Sequence, residues 1–335
     1  MGDTTLDAQQ LHNDAIIIDG LMISKWSRSV FEHMHRGGLT AINCTCSVWD
    51  GFYGTMQNIA QWKAWFHEHA DILLQVHGVA DIQRAKQEGK VGIILGWQNT
   101  SGIEDRLEFL PIFRDLGVRV MQLTYNTQNW VGTGCWESRD GGLSDFGRDV
   151  VTSMNELGIL VDLSHVGAKT SEDAIRHSKK PVAVTHGCPA AMKPHARNKT
   201  DEQIKLLADH GGFIGFATYT PFLPKGGETT VDDCIAGIEH LINVAGEDQV
   251  GIGTDFTQDQ DTAFFTYLGS DKGTGRRVTT GYAEVPPQPK GLEKIENFGN
   301  LTLAMAARGW PEARIRKVMG ENWLRFLGDV WGQTR

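Results

Sequence analysis

Seven polar side chains that can bind a metal ion or move a proton stand at the end of a short apolar run or directly after one. They are Asp19, Gln98, Tyr125, Asn126, His165, His186 and Asp255. Two histidines can bind a divalent metal ion while an aspartate accepts a proton from water, which is the minimum for metal-assisted hydrolysis. A single histidine at such a position is read as a strand cap, but the whole set predicts a hydrolytic site.

The elements that must position these side chains follow from the pattern of apolar residues. Eight runs rich in β-branched residues cover residues 15–19, 39–46, 91–96, 118–124, 159–163, 182–185, 213–217 and 250–254. Their nearly continuous apolar character is typical of parallel strands that are buried on both faces. Closure into a (β/α)8 barrel removes both sheet edges and brings the carboxyl ends of all strands to one face. We therefore expect the polar set to converge around a single cavity.

The segments between the strands carry helix signals. Thr200 and Gln203 have capping-box spacing, Thr230 is a candidate N-cap, and Pro311 suits a first helical turn. Apolar residues in steps of three and four predict a further helix face, made of Ile59, Trp62, Phe66, Ala70 and Leu73. The alternative architecture is an open doubly wound sheet. The first strand-to-helix turn, over residues 19–22, lacks the glycine-rich phosphate fingerprint typical of that fold.

The 335 residues fit one barrel domain, with an N-terminal extension over residues 1–14 and C-terminal helices over about 292–330. The net charge of -9 and the lack of a basic run argue against a nucleic-acid partner. No apolar run approaches the roughly 18 residues that span a bilayer, and the N-terminus lacks the order of a signal peptide. These features predict a cytoplasmic protein that does not associate with a membrane.

Arg197 follows the sixth predicted strand and allows two interpretations. Its guanidinium can hold a substrate carboxylate in two parallel hydrogen bonds, or it can pair with a surface acid. Two long polar loops, over residues 128–142 and 255–290, would lie at the same face of the barrel. Loops of this length at a catalytic face often form a substrate lid.

Several blocks of the sequence resemble the membrane (renal) dipeptidase family, peptidase family M19 of the amidohydrolase superfamily. They cover residues 142–147 with 154–155 and 161–166, then 181–186, 197–201, 251–256 and 320–325. The resemblance spans nearly the whole chain and implies an amidohydrolase-like barrel that contains a dinuclear zinc site. Members hold the zinc ions with a His and an Asp after strand 1, a bridging Glu after strand 3, and histidines after strands 5 and 6. The family also suggests a homodimer.

Four residues match the pattern that the resemblance implies. His165 and His186 match the last two zinc ligands, Asp255 matches the aspartate that acts on the nucleophilic water, and Arg197 matches the arginine that binds the substrate carboxylate. Other positions depart from it. Asp19-Gly20-Leu21-Met22-Ile23 stands where the family has Asp-Gly-His-x-Asp, Gln98 replaces the bridging Glu, and Tyr125 replaces a histidine that steadies the tetrahedral intermediate.

These departures limit the metal content that we expect. Leucine cannot coordinate zinc, and a neutral amide lacks the charge that lets two cations sit about 3.5–4 Å apart. The sequence therefore predicts one zinc ion at most, or none. His165 and His186 would bind it, with Gln98, Asp19 or Asp255 as weaker ligands.

Three functions remain open at this point. The first is a hydrolase of dipeptides or dipeptide-like amides, in which Asp255 is the general base, Tyr125 donates to the oxyanion, and Arg197 and Asn126 bind the substrate. The second is a catalytically altered or inactive barrel that binds a small carboxylate. The third is a metal-free hydrolase of another small amide.

Overall fold

The computed structural model describes residues 7–279 and 285–332 of the chain. The first six residues of the predicted N-terminal extension, residues 280–284 of the predicted second loop, and residues 333–335 lie outside the described part. In the described part, the strands are β1 (Ile18–Met22), β2 (Ala41–Ser47), β3 (Leu73–Gln75), β4 (Val91–Trp97), β5 (Val118–Gln122), β6 (Leu160–Asp162), β7 (Ala183–Gly187), β8 (Phe213–Phe216) and β9 (Val250–Ile252).

Eight of these strands close into a parallel barrel, as the sequence predicts. Neighbouring strands run in the order β2, β1, β9, β8, β7, β6, β5 and β4, and the pairing of β2 with β4 completes the ring. The closing register places Ala41 opposite Gly92. The strands are buried along nearly their whole lengths, which explains why their sequences are apolar without strict alternation.

One strand is an addition to the predicted set. β3 pairs with the first residues of β4, with Leu73 opposite Val91, whereas the last residues of β4 pair with β5. The prediction that Ala70 and Leu73 continue a helix face is therefore wrong. The helix ends at Glu68, and the consecutive apolar residues Ile72, Leu73 and Leu74 suit a short buried strand, which periodicity alone does not distinguish from a buried helix segment.

Helices surround the barrel. They are α1 (Ala8–Asp14), α2 (Arg28–Arg36), α3 (Phe52–Glu68), α4 (Val79–Glu88), α5 (Phe109–Asp115), α6 (Asp145–Leu157), α7 (Ala168–His177), α8 (Asp201–Asp209), α9 (Val231–Ala245), α10 (Thr262–Leu268), α11 (Gly299–Ala307), α12 (Glu312–Arg316) and α13 (Asn322–Trp331). The capping box of Thr200 with Gln203 is present at α8, and Thr230 caps α9. Pro311 occupies the N-cap position of α12. Over the described residues, none of the helices combines the length and apolarity needed to cross a membrane.

The C-terminal helix α13 closes the amino-terminal end of the barrel. Its Trp323 donates from Nε1 to the carbonyl of Ile252 at 2.8 Å, and its ring packs on Phe213 with centroids 4.2 Å apart. Because this end is filled by large side chains, the opposite end, where the carboxyl ends of the strands meet, is left for a site.

Three glycines surround the carbonyl oxygen of Thr185 in β7. A Cβ on Gly20 would lie 2.6 Å from this oxygen, and a Cβ on Gly215 or Gly253 would overlap it. These positions come from β1, from β8 and from the residue after β9. Glycine is needed there because backbone approaches backbone at a distance that leaves no room for a side chain. The three glycines thus allow neighbouring backbone to lie close to the part of β7 that carries His186.

Candidate active site

The centre of the site is a pair of buried histidines on neighbouring strands. His165 follows β6 and His186 lies in β7, and the two strands pair through Asp162 and Ala183. The Nε2 atoms of the two rings lie 3.1 Å apart, and the ring planes are inclined by 53°. The predicted convergence of the two imidazoles is therefore present in the structure.

Each ring is held from behind at its Nδ1 atom. Nδ1 of His165 lies 2.8 Å from Oδ1 of Asn126, and Nδ1 of His186 lies 2.9 Å from Oγ1 of Thr185. Asn126 has a left-handed backbone conformation, with φ of 61°, which turns the chain sharply after β5. Partners of this kind orient metal-binding histidines and set which ring nitrogen carries the proton.

A small cavity brings four of the predicted residues together. Its volume is about 10 Å³, which is room for about one water molecule. The residues that line it are Ile23, Gln98, Tyr125, His165, Tyr219, Asp255, Thr257, Phe265 and Leu268. Tyr125 stacks on His165, with ring centroids 4.1 Å apart and planes inclined by 25°. His186 contacts the His165 ring, and the Nε2 atoms of the two residues lie 3.1 Å apart.

Asp255 lies at the cavity in a strained backbone conformation. Its φ is 61°, and its N–H donates to the carbonyl of Leu21 at 3.0 Å. Burial raises the pKa of Asp255 to about 6, although the nearby Arg197 guanidinium lowers it and Asp162 raises it further. A carboxylate of this strength is ionised at neutral pH and can accept a proton from water.

Burial lowers the pKa of both histidines well below the usual range, and the positive charges of Arg197 and Lys199 act in the same direction. Both rings are therefore neutral at pH 7. Neutral imidazole is the form that binds a metal ion.

Arg197 is fully buried and reaches the backbone behind the histidines. Nη1 donates to the carbonyl of Ser164, and Nη2 donates to the carbonyl of His186 at 3.1 Å. The guanidinium carbon lies 5.1 Å from the ring centroid of Phe222. This burial rules out the surface ion pair. Nε has no partner in the described part of the chain, and the binding of a substrate carboxylate by Arg197 stays a prediction.

Asp19 and Gln98, the weaker metal-ligand candidates, both form hydrogen bonds within the barrel. Asp19 accepts from the N–H of Leu21 at 3.0 Å and that of Thr254 at 2.8 Å, and from the Thr254 hydroxyl. It lines a separate cavity deeper in the barrel, where burial raises its pKa to about 7. Gln98 lines the histidine cavity and donates to Oγ1 of Thr45 at 2.9 Å. Their roles as metal ligands stay predictions.

The residues do not fit a dinuclear zinc centre. Leu21 and Ile23 are buried apolar side chains where the family has metal ligands. Among residues 7–279 and 285–332 there is no group of three or more His, Cys, Asp or Glu side chains that could hold a metal ion. The two histidines do fit two positions of one ion, because nitrogens 3.1 Å apart can both lie at the usual Zn–N distance of about 2.0–2.1 Å from a shared zinc.

The sequence did not point to the polar network beneath the histidines. The buried Asp162 accepts hydrogen bonds from Ser164 and from Thr185, which in turn contacts His186. Burial raises the pKa of Asp162, and these hydrogen bonds oppose that effect. A polar residue at the end of an otherwise apolar strand was the available signal.

A larger groove, of about 540 Å³, lies beyond Tyr125 at the same end of the barrel. It is lined by Trp49, Gly51, Asn99, Ser101, Glu104, Thr127, Gln128, Asn129, Trp130 and Lys272. Trp49 contacts the edge of Tyr125, with ring centroids 5.2 Å apart. Part of the predicted lid, residues 128–130, thus lines this groove.

Comparison with known proteins supports the resemblance seen in the sequence. The chain is 31% identical to an uncharacterised dipeptidase of Schizosaccharomyces pombe over 256 residues, which cover 74% of the chain and 54% of the relative. It is 29% identical to a dipeptidase of Claviceps purpurea, over 82% of the chain and 60% of that relative. The chain thus spans little more than half the length of these curated relatives.

The solved structures that match include an amidohydrolase from Pseudomonas aeruginosa. It is 51% identical, has a TM-score of 0.96, and the match covers 98% of this chain and 100% of that one. A metallo peptidase from Rhodobacter sphaeroides, solved with a phosphinate mimic of the dipeptide L-Ala-D-Ala, shares the fold, with a TM-score of 0.79 and 22% identity over 95% of this chain and 100% of that one.

The family model of membrane dipeptidase, peptidase family M19, matches residues 24–264. This range contains β2 to β9 and all the residues that line the histidine cavity except Ile23, Phe265 and Leu268. The chain belongs to the membrane dipeptidase family, peptidase family M19.

Proposed function

We propose that this protein hydrolyses the amide bond of dipeptides or dipeptide-like molecules. The observation that carries the proposal is the cavity in which Asp255, Tyr125 and His165 meet, with His186 in contact behind His165. The cavity is lined by a proton acceptor, a hydroxyl group and one neutral imidazole, and a second neutral imidazole contacts the first. The names of the two curated relatives as dipeptidases support the substrate class.

One zinc ion is the metal that the histidine pair suits best. His165 and His186 would hold it, with Gln98, which lines the same cavity as His165, as a further candidate. When bound, such an ion supplies a positive charge that polarises a carbonyl and makes bound water more acidic. The Nδ1 contacts with Asn126 and Thr185 keep both rings in place for this role.

Asp255 would act on the water that attacks the amide. Its raised pKa of about 6 leaves it ionised at neutral pH while keeping it basic enough to take a proton efficiently. The same carboxyl group can then return the proton to the leaving amine. The Tyr125 hydroxyl, held by the stack on His165, would donate a hydrogen bond to the oxygen that becomes negative.

The histidine cavity has room for about one water molecule, so we propose that the substrate binds in the neighbouring groove and reaches the histidines from there. The groove volume of about 540 Å³ falls within the range of roughly 300–1,000 Å³ that is usual for small-molecule sites. The edge contact between Trp49 and Tyr125 separates the two spaces. Movement of the Tyr125 and Trp49 rings would admit the scissile amide to the histidines.

The test is amino-acid release from a panel of dipeptides with L or D C-terminal residues, before and after addition of zinc. We expect turnover that depends on zinc and is lost in Asp255→Asn. A zinc content below about 0.1 equivalents per chain, without turnover after zinc is restored, would overturn metallohydrolysis.

The same panel separates the alternatives. Dipeptide binding without turnover, lost in Arg197→Ala, would indicate a barrel that binds a carboxylate and has lost hydrolysis. That outcome is favoured by Leu21 and Ile23, which stand in place of metal ligands. Turnover that chelators leave unchanged would instead indicate a metal-free hydrolase.

A further inference from the structure

Asp162 is a buried carboxylate that receives four hydrogen bonds at the junction of β6 and β7. Oδ1 accepts from the N–H of Ser164 at 3.0 Å, from the Ser164 hydroxyl at 2.6 Å, and from the N–H of Thr185 at 3.0 Å. Oδ2 accepts from the Thr185 hydroxyl at 2.8 Å. In its ionised form a carboxylate can only accept hydrogen bonds, so with Asp162 ionised all four bonds run toward it.

The direction of the hydrogen bond between the Thr185 hydroxyl and Asp162 decides which ring nitrogen of His186 carries the proton. A threonine hydroxyl has one proton, and here it points to Oδ2 of Asp162. The Thr185 oxygen can therefore only accept at its contact with Nδ1 of His186, which is 2.9 Å long. Ser164 lies 3.2 Å from the Thr185 hydroxyl, but the Ser164 proton is already given to Asp162. Nδ1 of His186 must carry the ring proton, which leaves the lone pair on Nε2.

We propose that Asp162 is a positioning residue that acts through the Thr185 hydroxyl to keep His186 in the Nδ1–H tautomer, with Nε2 free to bind a metal ion. The inference rests on the proposed function in one respect, that His186 binds the metal through Nε2. Asp162 itself needs no contact with the substrate or the metal.

The substitution Asp162→Asn reverses the direction of this chain of hydrogen bonds. Three donors point at Oδ1, so the asparagine oxygen will occupy that position and its NH2 group will face Thr185. The NH2 group then donates to the Thr185 oxygen, and the Thr185 proton turns to Nδ1 of His186. His186 is forced into the Nε2–H tautomer, whose proton blocks the nitrogen that faces His165.

The experiment is ¹⁵N NMR of the histidine rings in the metal-free full chain. We expect the wild-type His186 to have a protonated Nδ1 and an unprotonated Nε2, and the Asp162→Asn variant to show the reverse. Zinc affinity, measured by competition with a chelating dye, should fall about 10- to 100-fold in the variant. An Asp162→Asn variant that folds and keeps the Nδ1–H tautomer would overturn the proposal.

A second pair of variants tests the same relay if Asp162→Asn does not fold. Thr185→Ser keeps the hydroxyl and should bind zinc as the wild type does, whereas Thr185→Val keeps the shape, lacks the hydroxyl and should bind it about 10- to 100-fold more weakly. Equal zinc affinity in Thr185→Ser and Thr185→Val would contradict the relay. The control is Ser164→Ala, which removes a donor to Asp162 and an acceptor of the His186 backbone N–H but keeps the Thr185 hydroxyl, so the His186 tautomer should stay unchanged.

These readouts separate the inference from the proposed function. The tautomer is measured without metal or substrate, so a protein with the expected tautomer and no dipeptide hydrolysis overturns the proposed function alone. A protein that hydrolyses dipeptides but has the Nε2–H tautomer at His186 overturns the relay alone.

Discussion

His165 and His186 face each other through their Nε2 atoms at 3.1 Å, while the opposite nitrogen of each ring contacts Asn126 or Thr185. If both Nδ1 atoms carry protons, two lone pairs meet across this distance. Such a pair is stabilised when a cation lies between the rings. The geometry thus favours the uptake of a metal ion between the two rings.

Zinc content should change when the replaced ligands are restored. We expect wild-type protein to bind one zinc ion at most, because Leu21, Ile23 and Gln98 cannot complete a second site. The triple variant Leu21→His, Ile23→Asp, Gln98→Glu should bind up to two, since it supplies the carboxylates and the imidazole of a dinuclear centre. Elemental analysis after dialysis measures both. A triple variant that gains no zinc would contradict the ligand assignment.

The pH dependence of hydrolysis should report Asp255. The group acts as a base when ionised, so kcat/KM should be low below pH 6 and rise with pH through the pKa of about 6. Asp255→Asn should lower kcat about 10²- to 10⁴-fold and remove this rise. The profile is measured with zinc held saturating, and Asp259→Asn, on the same loop, is the control that should keep the wild-type profile. A profile with no rise near pH 6 would mean that another group is the base.

Tyr125→Phe isolates the hydroxyl, because phenylalanine retains the stack on His165. We expect kcat to fall about 10²- to 10³-fold with little change in KM, as for the loss of one oxyanion donor. Steady-state kinetics on one dipeptide suffice. Tyr219→Phe is a matched control, since Tyr219 lines the same cavity. Equal losses of kcat in both variants would argue against a specific role for Tyr125.

Gly253→Ala should destabilise the protein and disturb the site. The new Cβ would overlap the Thr185 carbonyl and lie 3.3 Å from the Cα of His186, so β7 must shift. We expect the free energy of unfolding to fall by about 1–3 kcal/mol or more, together with weaker zinc binding. Gly141→Ala is the control, because its Cβ would meet Oγ1 of Thr133 at an unstrained 4.0 Å. Urea denaturation compares the two variants.

Ionisation of the buried Asp19 should lower the free energy of unfolding as the pH rises. Its pKa is about 7 in the folded protein and 3.8 in the unfolded reference. The unfolded chain therefore releases this proton first, and the stabilising effect of neutral Asp19, present below pH 4, is lost between about pH 4 and pH 7. A shift of this size corresponds to about 4 kcal/mol.

Asp19→Asn tests this linkage, because asparagine can keep the contacts to Leu21 and Thr254 without ionising. The stability of the variant relative to wild type should increase by up to about 4 kcal/mol between pH 4 and pH 8. Denaturation at several pH values measures it. The exposed Asp105→Asn is the control, and its stability relative to wild type should stay nearly constant. An Asp19→Asn difference that does not vary with pH would refute the linkage.

Much of the architecture was predictable because its signals are local. A strand that is buried on both faces needs a continuous apolar run, and eight such runs identified the barrel strands. The hydroxyl of Thr200 caps a helix that begins at the next residue, so its role follows from spacing of three residues. The strand ends in a barrel meet at one face, which is why His165, Tyr125 and Asp255 could be assigned to one cavity before the fold was known.

Other features depended on contacts between distant parts of the chain. Asp19 accepts a hydrogen bond from the N–H of Thr254, which is 235 residues away in the sequence. This bond links β1 to the segment that follows β9. Arg197 turns toward the carbonyls of Ser164 and His186, a direction that no local pattern encodes.

The barrel, the family and the identity of the groups that can do chemistry follow from the amino-acid order, because side-chain type and periodicity are properties of short segments. It takes the folded chain to show that Phe265 and Leu268 line a cavity of about 10 Å³ and that Asp162 reaches His186 through Thr185. The direction of a hydrogen bond, like the volume of a cavity, depends on where several separate strands and loops come to rest against one another.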